Sequence, residues 1–243
     1  MSDGDKGRSG SGLWTRVRQA LHGRISGRIP GVSDGDDDVV RASKVLRRLL
    51  DLLVLQPSPV MIDLGPVIGS NVSFFGEQFG CTLHLEDLFS DLDRLLSAGA
   101  EDEIRPMLAG CLAHEAASVD AVLAWDLFDY LTPEEATVLA GRLVRVLRPG
   151  GLVMAFFTTA PFDRPAYRKY IIEDGEHLRH RWLPYSRPAQ RVLYARDVER
   201  LFTPLEVAES YLLTHHQREM LLRRPKRREK DGVIAWHDRS SRS

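Results

Sequence analysis

The apolar run Val60-Met61-Ile62 ends in the acid Asp63, and glycines follow at positions 65 and 69, with the polar pair Ser70-Asn71 behind them. Asp63 at the end of a strand can hold a cationic or hydroxyl-rich group beside it. Gly65 and Gly69 let backbone approach a ligand with no side chain in between. Turn geometry alone is the plainer reading of the two glycines. The spacing predicts a buried strand, a tight turn and the start of a helix.

Other segments supply the elements around this turn. Val39 to Leu55 reads as the first helix of the domain, with Val40, Leu46, Leu49, Leu50 and Leu53 at helical spacing and Pro57 and Pro59 stopping it. Asn71 to Gln78 is the next helix, closed by Gly80, and Cys81 to Leu85 is a second strand. Leu88 to Gly110 reads as helical with a break at Ala98-Gly99-Ala100, which leaves Met107 to Leu112 as a poor third strand. Val119 to Trp125 is a continuous apolar run around Asp120, the pattern of a buried parallel strand. Thr132-Pro133-Glu134-Glu135 starts a helix, with a capping threonine, proline in the first position and acids in the first turn. Leu152 to Phe157 is the fifth strand. Tyr167 to Ile172 and His177 to Trp182 form a hairpin around Asp174-Gly175, and a short helix from Ala195 and two last strands close the chain. Strands alternating with helices predict an α/β fold: a doubly wound, mostly parallel sheet with an antiparallel edge strand and a hairpin insertion after the fifth strand.

Asp63-x-Gly65-x-x-x-Gly69 resembles the first motif of class I S-adenosylmethionine-dependent methyltransferases. Leu83-His84-Leu85-Glu86-Asp87 resembles that family's second strand, and Leu147-Arg148-Pro149-Gly150-Gly151-Leu152-Val153-Met154 its helix, turn and fifth strand. Val67 stands where the family keeps a central glycine. The resemblance implies a Rossmann-like fold and S-adenosylmethionine as cofactor. It implies a cofactor cleft from Asp63, Gly65, Pro66 and Gly69, with Glu86 and Asp87 at the ribose, and Asp126 and Phe128 bordering the methyl group and the acceptor. A carboxylate such as Glu86 can accept hydrogen bonds from both ribose hydroxyls; the alternative is a solvated strand end. Asp126 is the candidate catalytic residue, orienting an acceptor amine or hydroxyl or acting as a base; the alternative is a helix cap or loop acid. Asp129 is expected to face solvent and Tyr130 to join the core. Methyl transfer needs little beyond alignment, because proximity lowers much of the barrier. The implied function is methyl transfer to an unidentified acceptor. The other reading is a methyltransferase-like module without activity that binds or regulates.

Several classes are set aside. The turn is no phosphate P-loop, because no Gly-Lys-Ser/Thr follows, and no nicotinamide fingerprint, because that needs glycine at Val67. His215-His216 lacks acidic partners at metal-ligand spacing, so no metal is expected. No Asn-Pro-Pro-Tyr-like sequence marks an amide or adenine acceptor. A net charge of -1 gives no general pull towards nucleic acid. Two cysteines, Cys81 and Cys111, in apolar surroundings suit a reducing cytoplasm. No apolar run is long enough to span a bilayer, and no signal-peptide core is seen.

At 243 residues and 43% hydrophobic, one domain with tails is expected. Residues 1–37 read as a flexible tail in which Trp14, Val17 and Leu21 share one helical face. That segment either docks on its own domain or meets a membrane surface or protein partner. Residues 38–224 are the methyltransferase-like domain, and 225–243 a basic flexible tail within the run that begins at Arg223.

Overall fold

The computed structural model describes residues 38–160, 166–184 and 192–226. The N-terminal segment around Trp14, the linker before Asp38, Phe162 and the basic tail beyond Lys226 lie outside the described residues.

Strand β1, Asp38–Ala42, opens the described chain. Helix α1, Lys44–Leu53, begins at Ser43, whose side chain accepts from the Leu46 amide. The helix predicted from Val39 therefore starts five residues later. Ser43 is in extended backbone (φ -119°, ψ 112°), and the β-branched pair Val39-Val40 before it is drawn into a strand. A carboxylate from the far end of the chain, Glu219, also accepts from the Val45 amide at this helix start. Val45, Leu46, Leu49, Leu50 and Leu53 are buried along one stripe of α1, each worth about 1.5–3 kcal/mol of burial.

Strand β2, Val60–Asp63, leads through the glycine turn into α2, Gly69–Ser73, which runs on as a single wide turn, Phe74–Gln78. Strand β3, Thr82–Leu85, and helix α3, Leu88–Ser97, follow, with Asp87 capping the helix. Helix α4, Ile104–Gly110, occupies the stretch considered as a third strand. Strand β4, Val119–Trp125, is buried at every position, and a 3-10 turn, Leu127–Tyr130, follows it. Helix α5, Pro133–Val146, carries the predicted capping box between Thr132 and Glu135. Strand β5, Leu147–Thr158, precedes the hairpin of β6, Ala166–Ile172, and β7, His177–Pro184. Helix α6, Ala195–Leu201, and strands β8, Glu206–Leu213, and β9, Gln217–Arg223, complete the chain.

The central sheet has the order β3-β2-β4-β5-β9-β8. Strands β3, β2, β4 and β5 are parallel to one another, whereas β9 is antiparallel to both β5 and β8. The antiparallel strand thus lies one place in from the edge, with β8 outside it. Among the described residues nothing pairs with the outer side of β3. One apolar layer, with α3 to α6, covers one face of the sheet; the other, with α1, the wide turn and part of the hairpin, covers the opposite face. This is a doubly wound α/β fold.

The hairpin is more than the insertion its sequence suggested. Strand β1 pairs antiparallel with β7, so a separate three-stranded sheet, β1-β7-β6, forms beside the central one. Among the described residues no helix is long and apolar enough to cross a membrane.

Candidate functional site

The chain turns after β2 because Asp63 holds its own loop. Its Oδ1 accepts from the Gly65 amide at 2.9 Å and from the Trp125 indole Nε1 at 2.6 Å. Trp125 ends β4 in the left-handed region, φ +49°, a strained conformation for a bulky residue. Its ring lies over the glycine turn: a Cβ on Gly65 would sit 2.6 Å from Trp125 Cδ1 and 3.2 Å from Asp63 Oδ1. Asp63 is 2% exposed and Trp125 2%. Burial pushes the Asp63 carboxyl up to about 6, against the lowering effect of the two donors.

The hairpin closes over that ring. Tyr170 of β6 stacks on Trp125 with centroids 5.2 Å apart and planes 6° from parallel, while Phe156 meets both edge-on. Asn71, on α2, fixes the strand in place. Its Nδ2 donates to the Tyr170 carbonyl and its Oδ1 accepts from the Ile172 amide, both at 2.9 Å. One buried amide thus does for β6 what a neighbouring strand would do.

At the end of β4, Asp126 Oδ2 accepts from the Tyr170 hydroxyl at 2.9 Å, and Gln217 Nε2 donates to that hydroxyl at 2.8 Å. Asp129 Oδ2 accepts from the Thr158 amide at 2.9 Å. The expectation that Asp129 faces solvent is wrong: the 3-10 turn after Asp126 folds it inward, and it is 1% exposed. The second oxygens of Asp126 and Asp129 are buried with no hydrogen-bond partner among the described atoms. Arg168, buried on β6, supplies positive charge to both acids and lies 4.5 Å from the Trp182 ring centroid. Burial raises Asp126 to about 6, opposed by Arg168 and the Tyr170 hydroxyl. Burial and then the Asp126 charge raise Asp129 to about 8. His180 of β7 meets the Tyr170 ring edge-on at 4.9 Å, and burial with Arg168 nearby holds it down at about 3.

The two acids after β3 are also engaged. Glu86 Oε2 accepts from the Leu112 amide and Oε1 pairs with His114 Nε2, both at 2.9 Å; the His114 ring meets His84 at 4.6 Å. Asp87 accepts from the Ser90 amide at 3.0 Å and from its hydroxyl at 2.8 Å. Here Glu86 ties the Leu112–His114 segment to the end of β3.

The carboxyl ends of β2, β3, β4 and β5 therefore gather Asp63, Gly65, Pro66, Glu86, Asp126 and Thr158, as the topology requires. Gly65 and Pro66 are buried there. Gly69 and Val67 are not in the closed region: Gly69 has nothing near an added Cβ, and Val67 is 51% exposed. Phe128 turns away from the cleft into the layer under α6, edge-on to Phe202 at 4.7 Å, and Tyr130 is in the core. Sequence reasoning missed Trp125, Asn71 and Gln217 as site residues. Each pairs across 44 residues or more of chain with its partner in the site, and no local pattern encodes that.

In this arrangement the close approach at Gly65 is taken by the indole, both Glu86 oxygens face protein donors, and one Asp126 oxygen accepts from Tyr170. Among the described residues no group of three His, Cys, Asp or Glu side chains could hold a metal ion.

No family model matches the sequence, and no curated protein matches it. Solved structures of similar shape include the 1,6-didemethyltoxoflavin-N1-methyltransferase of Burkholderia thailandensis, solved with 1,6-didemethyltoxoflavin and S-adenosylhomocysteine. It is 16% identical over 75% of this chain and 79% of that chain, with a TM-score of 0.43. A protein from Pyrococcus horikoshii is 19% identical over 74% of this chain and 88% of that one, TM-score 0.46. A S-adenosylmethionine-dependent methyltransferase from Methanosarcina mazei is 15% identical over 76% and 98%, TM-score 0.45. These scores mark a shared general shape and bear on nothing finer.

Proposed function

We propose that this is a class I methyltransferase-like domain whose cofactor is S-adenosylmethionine and whose reaction is methyl transfer to an acceptor. The single observation that carries the reading is the strand order β3-β2-β4-β5-β9-β8 with the glycine turn on β2 and acids at the ends of β2, β3 and β4. Ligands of doubly wound sheets bind beyond the carboxyl ends, where the order reverses, and here that lies between β2 and β4. Asp63, Gly65, Pro66, Gly69, Glu86 and Asp87 remain the proposed cofactor set, and Asp126 the proposed group at the acceptor. The arrangement described is then the closed one. Trp125 and Tyr170 fill the cleft, and a ligand enters only after the hairpin sheet lifts. The free cysteines, Cys81 and Cys111, are consistent with a reducing cytoplasm as its place.

A second reading is favoured by the indole on Asp63: the cleft is permanently filled, and the domain is an inert binding or regulatory module. Calorimetric titration of the purified chain with S-adenosylhomocysteine separates the two. Weak, saturable binding supports the closed enzyme, because affinity is reduced by the fraction of molecules that are open. No heat of binding up to millimolar ligand supports the inert module.

A further inference from the structure

At the opposite end of the central sheet, away from Trp125, lies a cavity of ≈ 350 Å³. That is near the lower end of the roughly 300–1,000 Å³ of small-molecule sites. One wall is apolar, from Leu52 in the last turn of α1 and Leu55 just beyond it; the other is cationic, from Arg148, Arg223 and Lys226.

The charges do not cancel. Asp120 is the one acid among the lining residues; it is 5% exposed, takes the Val60 amide on Oδ2 and is ion-paired with Arg148 on Oδ1. Arg223 and Lys226 have no ion-pair partner among the described residues. Their position is set by backbone. The Gly150 amide donates to the Arg224 carbonyl, and the Arg224 amide donates to the Gly151 carbonyl, both at 2.8 Å. The Lys226 stem lies over Gly150, 3.2 Å from where a Cβ would be. Arg224 itself is used on the Leu147 carbonyl. Two unpaired cations thus face one cavity from the same strand end, beside Leu55, which is 73% exposed.

We propose that this cavity binds a phosphate monoester bearing a short apolar group. Two separate cations match a dianion better than a carboxylate, and the leucine wall takes the organic part. The basic run that begins at Arg223 thereby gains a role, independent of what the cleft does.

The test is calorimetric titration of the full chain with hexyl phosphate, inorganic phosphate, hexyl sulfate and hexanol. The expected result is that hexyl phosphate binds at least tenfold tighter than each of the others. The Arg223→Gln/Lys226→Gln variant, altered only at partly exposed positions, should lose at least tenfold of that affinity. Leu55→Ser should weaken hexyl phosphate and leave inorganic phosphate unchanged. Equal binding of hexyl sulfate, or an affinity unmoved in the double variant, would overturn the proposal. Phosphatidylcholine vesicles with and without phosphatidic acid identify the source. Sedimentation that needs both phosphatidic acid and the two cations assigns the phosphate to a lipid headgroup. No sedimentation, with hexyl phosphate binding intact, assigns it to a soluble ester.

Discussion

The two ends of the central sheet are finished in opposite ways. At the carboxyl end, Asp63, Asp126 and Asp129 are each at most 2% exposed, and a second small sheet lies over them. At the amino end, the one buried acid is saturated and two cations are left facing an open cavity. Burying a carboxylate is unfavourable unless hydrogen bonds or counter-charges replace water. The carboxyl end meets much of that need from within, using Trp125, Tyr170, Thr158 and Arg168, and burial there raises the pKa of each acid. Asp126 Oδ1 and Asp129 Oδ1 stay without a partner among the described atoms, but reaching the rest of this end means giving up the partners it has. The amino end has nothing to give up. The difference between a closed site and an available one is thus written in who holds each charge.

Gly65→Val should have the largest effect. Its side chain meets the indole and the Asp63 carboxylate, both fixed, and overpacking of this kind costs about 3 kcal/mol or more. Gly69→Ala, in the same turn, meets nothing and should stay within about 1 kcal/mol of wild type. Chemical denaturation measures both; equal losses would mean that Trp125 does not sit on the turn.

Asn71→Ala should come next, at about 2–3 kcal/mol, because two buried backbone groups of β6 lose their partner. Hydrogen exchange should show the Ile172 amide losing protection. If protection is unchanged, the hairpin is held by something else.

Asp129 offers a pH test. Its folded value of about 8 lies above the ordinary carboxylate value of about 3.9 in the unfolded chain. The folded state therefore holds the extra proton between these values, and its contribution to stability falls as pH rises from about 4 to about 8. Asp129→Asn keeps an acceptor for the Thr158 amide and carries no charge. It should match wild type near pH 4 and exceed it by a margin that grows with pH, reaching about 1 kcal/mol or more at pH 8. An advantage that does not grow with pH would show that Asp129 is ionised and solvated in the native state.

Val67→Gly should do least. The side chain is half-exposed, so the change should cost about 0.4–1 kcal/mol through the unfolded chain and leave ligand binding as it was. A large gain in binding would show that Val67 narrows the cleft.

Much of the fold was legible because it is local. The Thr132 cap, the apolar run of β4 and the hairpin around Asp174-Gly175 all follow from neighbouring residues. The start of α1 was misread because the competing strand, Asp38–Ala42, depends on a partner about 140 residues away in β7. Among the site residues, the positions of Asp63, Glu86 and Asp126 at strand ends were legible from order alone. Their partners were not: Trp125 looks like the end of a core strand, and Asn71 like an ordinary first-turn residue of a helix. The hydrogen bonds that decide whether the cleft is open join segments that share no sequence pattern.

In the proposed cleft Trp125 stands where the cofactor would lie. Trp125→Gly tests it most directly, because glycine accepts φ +49° without strain and leaves the space over Gly65 empty. Wild type and variant are titrated with S-adenosylhomocysteine by calorimetry, with folding checked by denaturation. Wild type should bind weakly and the variant at least tenfold more tightly, about 1.4 kcal/mol or more. Wild-type binding as tight as the variant's would contradict that placement of Trp125.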